Sequence, residues 1–132
     1  MMKESALEQI TLPIDCDVIA PDSSEIRLLA SVIGGSMCHC SLPGGATSRA
    51  IVHRQVEEVW YFISGQGQVW RQLKESEEVL EVGRGSSLNI PRGTTFQFRN
   101  TGVEPLEFII TTIPPWPGEE EALLKIGRWN DN

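Results

Sequence analysis

Short stretches rich in β-branched and aromatic residues recur along the chain, each closed off by glycine or proline. They are Arg27–Ile33, Val59–Ile63, Gln68–Leu73, Val79–Val82, Ser86–Ile90, Phe96–Arg99 and Leu106–Ile113. The punctuation between them is PGG at 43–45, SGQG at 64–67, GRG at 83–85, PRG at 91–93 and PPWPG at 114–118. Many short strands at turn-marked spacing predict an all-β sandwich or barrel. Helical periodicity is weak and confined to the first ten residues and to Glu119–Ile126, so it predicts a surface turn or two at most. The segment PPWPGEEEALLKIGRW is excluded from a central strand, because proline supplies no ladder donor. Its Trp116 and Trp129 are expected to cover an open end or edge of the barrel, or to pack on a second subunit. The acidic triplet Glu119–Glu121 is expected on a solvated face.

A length of 132 residues fits one domain over 1–132, and 40% hydrophobic with 22% charged residues is the balance of a soluble globular chain. The formal net charge of −7 repels a phosphate backbone and argues against nucleic acid as a partner. No apolar run reaches the ~18 residues of a membrane span, and MMKESALEQITLP lacks the apolar core of a secretory signal. The three cysteines, Cys16, Cys38 and Cys40, form neither a disulfide framework nor a paired zinc knuckle. A reduced, cytoplasmic, soluble protein is the expectation. The chain has two histidines, His39 and His53, so a metal site on one chain draws on at most two imidazoles. It carries no nucleophile triad, phosphate-cradling loop or cofactor fingerprint.

Two stretches carry a recognisable spacing. From Gly45 come five residues, Ile51-x-His53, four residues, Glu58, six residues and Gly65. From Gly85 come five residues, Pro91-x-Gly93, two residues, Phe96, three residues and Asn100. These segments, 45–65 and 85–100, resemble the first and second motifs of the cupin family, in which the first motif has His-x-His and the second has His where Phe96 stands. The resemblance implies a double-stranded β-helix, or jelly-roll barrel, and a homodimeric assembly; the Pro/Trp-rich tail at 114–132 follows the second motif. Gly65 and Gly67 suit a hairpin with positive φ, Pro91–Gly93 a tight turn, and Asn100–Gly102 another turn.

In metal-binding members of the family the two His and the Glu of the first motif, with the His of the second, hold one divalent transition metal. Carried over, those positions are Ile51, His53, Glu58 and Phe96. Ile51 and Phe96 have no lone pair to offer, so two ligands of four remain. Three readings stand. In the first, His53 and Glu58 form a metal-free, hydrogen-bonded acid–base pair in an apolar pocket, the carboxylate raising the imidazole pKa. In the second, a metal is held by His53 and Glu58 with His39, or with Cys38 and Cys40, completing the site. In the third, the pair is a satisfied polar contact in the core. Strand alternation puts Met37, His39 and Ser41 on one face and Cys38, Cys40 and Leu42 on the other; the favoured arrangement has the cysteines in the core and His39 exposed.

The same parity brings Trp60 and Phe62 inward with Glu58, Phe98 with Phe96, and Ile51 with His53. Gln55 joins them if the strand stays regular. Tyr61 and Gln97 fall on the outer layer, while the register of Trp70 is undetermined. The first expectation is a cupin-domain protein that binds a small aromatic or apolar ligand among Ile51, Gln55, Trp60, Phe62, Phe96 and Phe98, beside His53 and Glu58, with no cofactor. The alternatives are a metal-dependent oxygenase or isomerase/cyclase, and a non-catalytic dimerisation or interaction module.

Overall fold

The computed structural model describes residues 6–131. Its strands are β1 (Val18–Ile19), β2 (Glu25–Val32), β3 (Gly35–Leu42), β4 (Ala50–His53), β5 (Glu57–Ser64), β6 (Gln66–Leu73), β7 (Ser76–Gly83), β8 (Ser87–Ile90), β9 (Thr95–Asn100), β10 (Leu106–Ile113) and β11 (Ala122–Lys125). Every expected strand is present. Branched and aromatic side chains favour the pleated backbone because they pack well against neighbours across it. In β5 and β10 alternate residues are buried, the signature of a strand with one face on the core.

Two antiparallel sheets result. The larger has the order β1-β2-β3-β10-β5-β8 and the smaller β11-β4-β9-β6-β7. In the larger sheet Cys40, Phe108 and Phe62 form one inward row, and Cys38, Ile110 and Trp60 the next. In the smaller sheet Ile51 pairs with Phe96, and Phe98 with Val69. These inward rows meet in a single apolar core that includes Leu42, Val82, Ile90 and Leu106. This is the expected all-β, double-stranded β-helix.

Gly65 differs from expectation. It is no hairpin turn within a sheet but the corner at which the chain leaves the larger sheet (β5) for the smaller (β6). Its φ is +87°, and a Cβ there would lie 2.5 Å from the Pro105 carbonyl oxygen, so both conformation and space demand glycine. The Pro91–Gly93 turn is as expected: Thr94 N–H donates to Pro91 O at 3.1 Å, with Gly93 at φ +86°. Asn100 does more than mark a turn. Buried, it accepts from Gly102 N–H at 2.8 Å and donates to the carbonyls of Leu42 and Glu104, tying three segments together.

The tail departs further. Glu119–Glu121 is one 3-10 turn, after which 122–125 extends as β11 and covers the otherwise open edge of β4, pairing its backbone there. Of the helical turn expected in the first ten residues, 1–5 lie outside the described residues and 6–10 are irregular. Beyond β11 the chain folds over the outer face of the smaller sheet. There Gln97 exchanges hydrogen bonds with the backbone N–H and carbonyl of Trp129, and the Arg99 guanidinium sits 4.3 Å above the Trp129 ring. Gln97 is therefore on the outer side, as parity predicts, yet buried. Trp70 shares that side, its indole N–H bonded to Glu77, and Tyr61 stands exposed on the outer face of the larger sheet. Among the described residues no helix is long and apolar enough to cross a membrane.

Candidate functional site

At one end of the barrel β4 finishes, β9 and β5 begin and β10 finishes; this end is the mouth. His53, the last residue of β4, is 5% exposed. Its imidazole meets the ring of Phe96 at 5.3 Å on one side and the indole of Trp116 at 5.3 Å on another, both edge-on. Trp116 reaches this place because its proline-flanked segment, which continues neither sheet, runs back over the mouth. One of the two expected roles for the tail tryptophans, covering an open end, falls to Trp116. Burial among these rings lowers the His53 pKa to about 4, against an opposing pull from the nearby Glu121 carboxylate, so the imidazole is neutral at neutral pH. Its Nδ1 is buried without a hydrogen-bond partner.

Glu58 enters from β5 and is 6% exposed. Its Oε1 accepts from the Trp60 indole N–H at 3.0 Å and its Oε2 from the Thr112 hydroxyl at 3.0 Å. Burial raises its pKa to about 7; the two hydrogen bonds act in the opposite direction, and the Asp22 and Glu121 carboxylates add to the rise. The expected direct hydrogen bond between His53 and Glu58 is replaced by these partners, and the imidazole pKa moves down where a neighbouring carboxylate was expected to raise it. Desolvation outweighs the charge.

Glu121 supplies the group that sequence reading missed. It is 3% exposed, not solvated. Its Oε2 accepts the backbone N–H groups of Gln55 and Val56, the latter at 2.8 Å, in the bend between β4 and β5. Oε1 is buried with no partner. Gly118 and the single 3-10 turn after it deliver this carboxylate to the mouth, and an acidic triplet gives no hint of which member turns inward. The bend also explains Gln55: regular alternation stops at His53, and the Gln55 side chain is exposed and away from the lining.

The remaining expected lining residues are brought together, but onto one another. Trp60, Phe62, Phe96 and Phe98 are each at most 2% exposed, and Phe108, not anticipated, completes the cluster. Ring centroids lie 4.7 Å apart for Trp60–Phe108, 4.5 Å for Phe62–Phe108 and 5.2 Å for both Trp60–Phe96 and Phe98–Phe108. Tilted and edge-to-face contacts of this kind are favourable in themselves, so these rings fill the floor of the barrel. Ile51, 2% exposed, belongs to the same packed core.

The family's metal does not fit these residues. Among the described residues no group of three or more His, Cys, Asp or Glu side chains is placed to hold a metal ion. His39 does not complete a site with His53 and Glu58, because it lies on the outward face of β3. There it is buried rather than exposed, with Nε2 3.2 Å from Glu107 Oε1 but off the hydrogen-bond direction. The cysteine face points inward, as favoured. Burial pushes the Cys38 thiol up to about 12 and the Cys40 thiol well above its usual range, so neither offers a thiolate at neutral pH. Asp22, buried beside them with its carboxyl raised by burial, accepts from the backbone N–H and hydroxyl of Ser24.

Several known proteins are similar to this chain. An uncharacterised protein of Methanocaldococcus jannaschii, MJ1618, is 27% identical over 90 residues, 68% of this chain and 69% of that protein. The xanthan biosynthesis protein XanB of Xanthomonas campestris pv. campestris is 35% identical over 79 residues, 60% of this chain but only 16% of XanB. Among solved structures, a conserved protein with a double-stranded β-helix domain from Klebsiella pneumoniae superposes with a TM-score of 0.66 at 17% identity, covering 79% of this chain and 85% of that one. The Cupin domain family model (Cupin_2) matches residues 38–112, from the inward cysteine of β3 to the threonine that holds Glu58, and the chain belongs to the cupin family.

Proposed function

We propose that this chain is a metal-independent cupin that binds a small organic molecule at the barrel mouth, against Trp116 and beside His53, Glu58 and Glu121. One observation carries the reading: His53 Nδ1 and Glu121 Oε1 are both buried at the mouth without a partner. Buried polar atoms are nearly always hydrogen-bonded, so two orphans at one opening call for a group from outside. The complementary ligand is largely apolar, to lie on the indole, and carries a hydroxyl or amide that both donates and accepts. The floor rings, which sequence reading gave to the ligand, instead support the site from below. A carboxyl with a pKa of about 7 at Glu58 also holds or releases a proton near neutrality, the property required of a general acid or base in any turnover. The free thiols of Cys16, Cys38 and Cys40 are in keeping with a reducing, cytoplasmic setting. The purified protein is expected to contain well under one equivalent of transition metal per chain by elemental analysis. Stoichiometric metal that disappears in His53→Ala would overturn the reading.

A non-catalytic dimerisation module is the second reading, favoured by the closed aromatic floor and by the outer face of the larger sheet. Met37, Val59, Tyr61 and Ile63 there are each more than a third exposed. Sedimentation is expected to show a dimer that Tyr61→Glu converts to monomer; a monomeric wild type removes this reading.

A further inference from the structure

The two sheets fail to close on each other along one side, between β7 of the smaller sheet and β8 of the larger. The gap is a recess of about 350 Å³ lined by Arg71, Leu73, Ser76, Glu77, Glu78, Asn89, Pro91 and Thr94. That volume lies within the usual range of small-molecule sites. Arg71 belongs to the inward face of β6, opposite Phe96 and Glu78, and the recess opens beside the start of β9 with none of His53, Glu58, Trp116 or Glu121 in its lining.

We propose that this lateral recess is a second binding site, for a neutral polyhydroxylated molecule the size of one sugar unit. Charge decides against an anion. Arg71, the only cation among the described residues of the lining, is already committed: its guanidinium bonds the backbone carbonyl and Oδ1 of Asn89, at 2.7 and 2.9 Å, and pairs with Glu78. Glu77 is likewise compensated, by Arg128 at 3.6 Å, so the recess holds no free cation for an anion to meet among the described residues. The polar atoms that remain are mixed in kind. Glu77 and Glu78 each use Oε1 in the bonds described, to the Trp70 indole and to Arg71, and each has a second carboxylate oxygen to accept with. Asn89 accepts through Oδ1 and keeps its amide N–H groups as donors. Ser76 adds a hydroxyl. Thr94, 2% exposed, adds another whose Oγ1 is buried with no partner. A ligand matching this wall must donate to carboxylates and accept from amide and hydroxyl groups within a short span. Adjacent hydroxyls on a compact ring do both, and Leu73 with Pro91 offers the apolar contact that the C–H side of such a ring takes. A purely apolar ligand leaves the carboxylates unpaired, and a carboxylate or phosphate meets their charge.

The test is a backbone-amide NMR titration of the full chain with D-glucose, D-mannose and myo-inositol, each beside glucuronate as the anionic control. Saturable shifts are expected at residues 71–78 and 89–94 with at least one neutral polyol, weaker or absent with glucuronate. Thr94→Val, which keeps shape and removes the hydroxyl, is expected to weaken that binding by about threefold to tenfold, as loss of one hydrogen bond does. Asn89→Ala is expected to act similarly, and a folded His53→Ala to leave the binding unchanged. If none of the three polyols shifts these amides, if glucuronate binds more tightly, or if the shifts gather at the mouth, the assignment fails. Unchanged affinity in both folded Thr94→Val and Asn89→Ala also overturns it.

Discussion

Phe62, Phe98 and Phe108 at the barrel floor, and His53, Glu58 and Glu121 at its mouth, are all buried, yet burial leaves them in opposite conditions. Dispersion has little directionality, so the floor rings meet their needs from one another, edge to face and tilted, with nothing left over. Hydrogen bonds are directional and desolvation of polar atoms is severe. Glu58 is satisfied by Trp60 and Thr112, but His53 Nδ1 and Glu121 Oε1 are not. The floor leaves no polar atom to satisfy, whereas the mouth keeps two buried polar atoms without partners. Trp60 joins the two, its ring in the floor and its indole N–H on Glu58.

That contrast is breakable. Trp60→Ala removes the shared element and is expected to destabilise the fold by about 3–5 kcal/mol in chemical denaturation. A loss below about 1 kcal/mol means that the floor is not packed as described. Glu121→Ala strands the buried N–H of Val56 and the partly buried N–H of Gln55 and is expected to destabilise by about 1–3 kcal/mol. An equal loss in Glu120→Ala, whose side chain is solvent-exposed, removes the case for a buried role at position 121.

The finest comparison is with pH. Glu58 has a folded pKa of about 7 against an ordinary 4.5, so between those values the unfolded chain has released a proton that the folded one keeps, and stability falls as pH rises. His53 has a folded pKa of about 4 against an ordinary 6.5; in that window the unfolded chain holds the extra proton, and stability rises with pH. The two slopes oppose each other from about pH 4.5 to 6.5. Their combined contribution to wild-type stability is therefore expected to change by only on the order of 1 kcal/mol there. Compared with wild type, Glu58→Gln is expected to tilt the curve upward with pH and His53→Asn downward. Parallel curves in all three proteins contradict the burial of these groups.

Much of the fold was readable in one dimension. Branched and aromatic runs between glycines and prolines mark the strands, and parity along β5 and β9 puts Trp60, Phe62, Phe96 and Phe98 inside. Those inferences rest on local geometry, with side chains alternating at every residue along a regular strand. They fail where regularity stops. Gln55 falls outside because β4 ends in a bend, and Gly65 turns a corner between sheets where a hairpin was expected. His39 has the predicted facing but not the predicted exposure.

Residue types and their spacing, by themselves, determined the all-β class, the cupin motifs at 45–65 and 85–100, and the loss of lone pairs at Ile51 and Phe96. Only the tertiary structure decided that the interior rings close on each other, that the tail brings Trp116 and Glu121 to the mouth, and that His53 and Glu58 are held apart by other partners. The physical reason is range. Strand parity and ligand chemistry belong to a residue and its immediate neighbours, whereas desolvation and hydrogen-bond partnership depend on segments as distant in sequence as Val56 and Glu121.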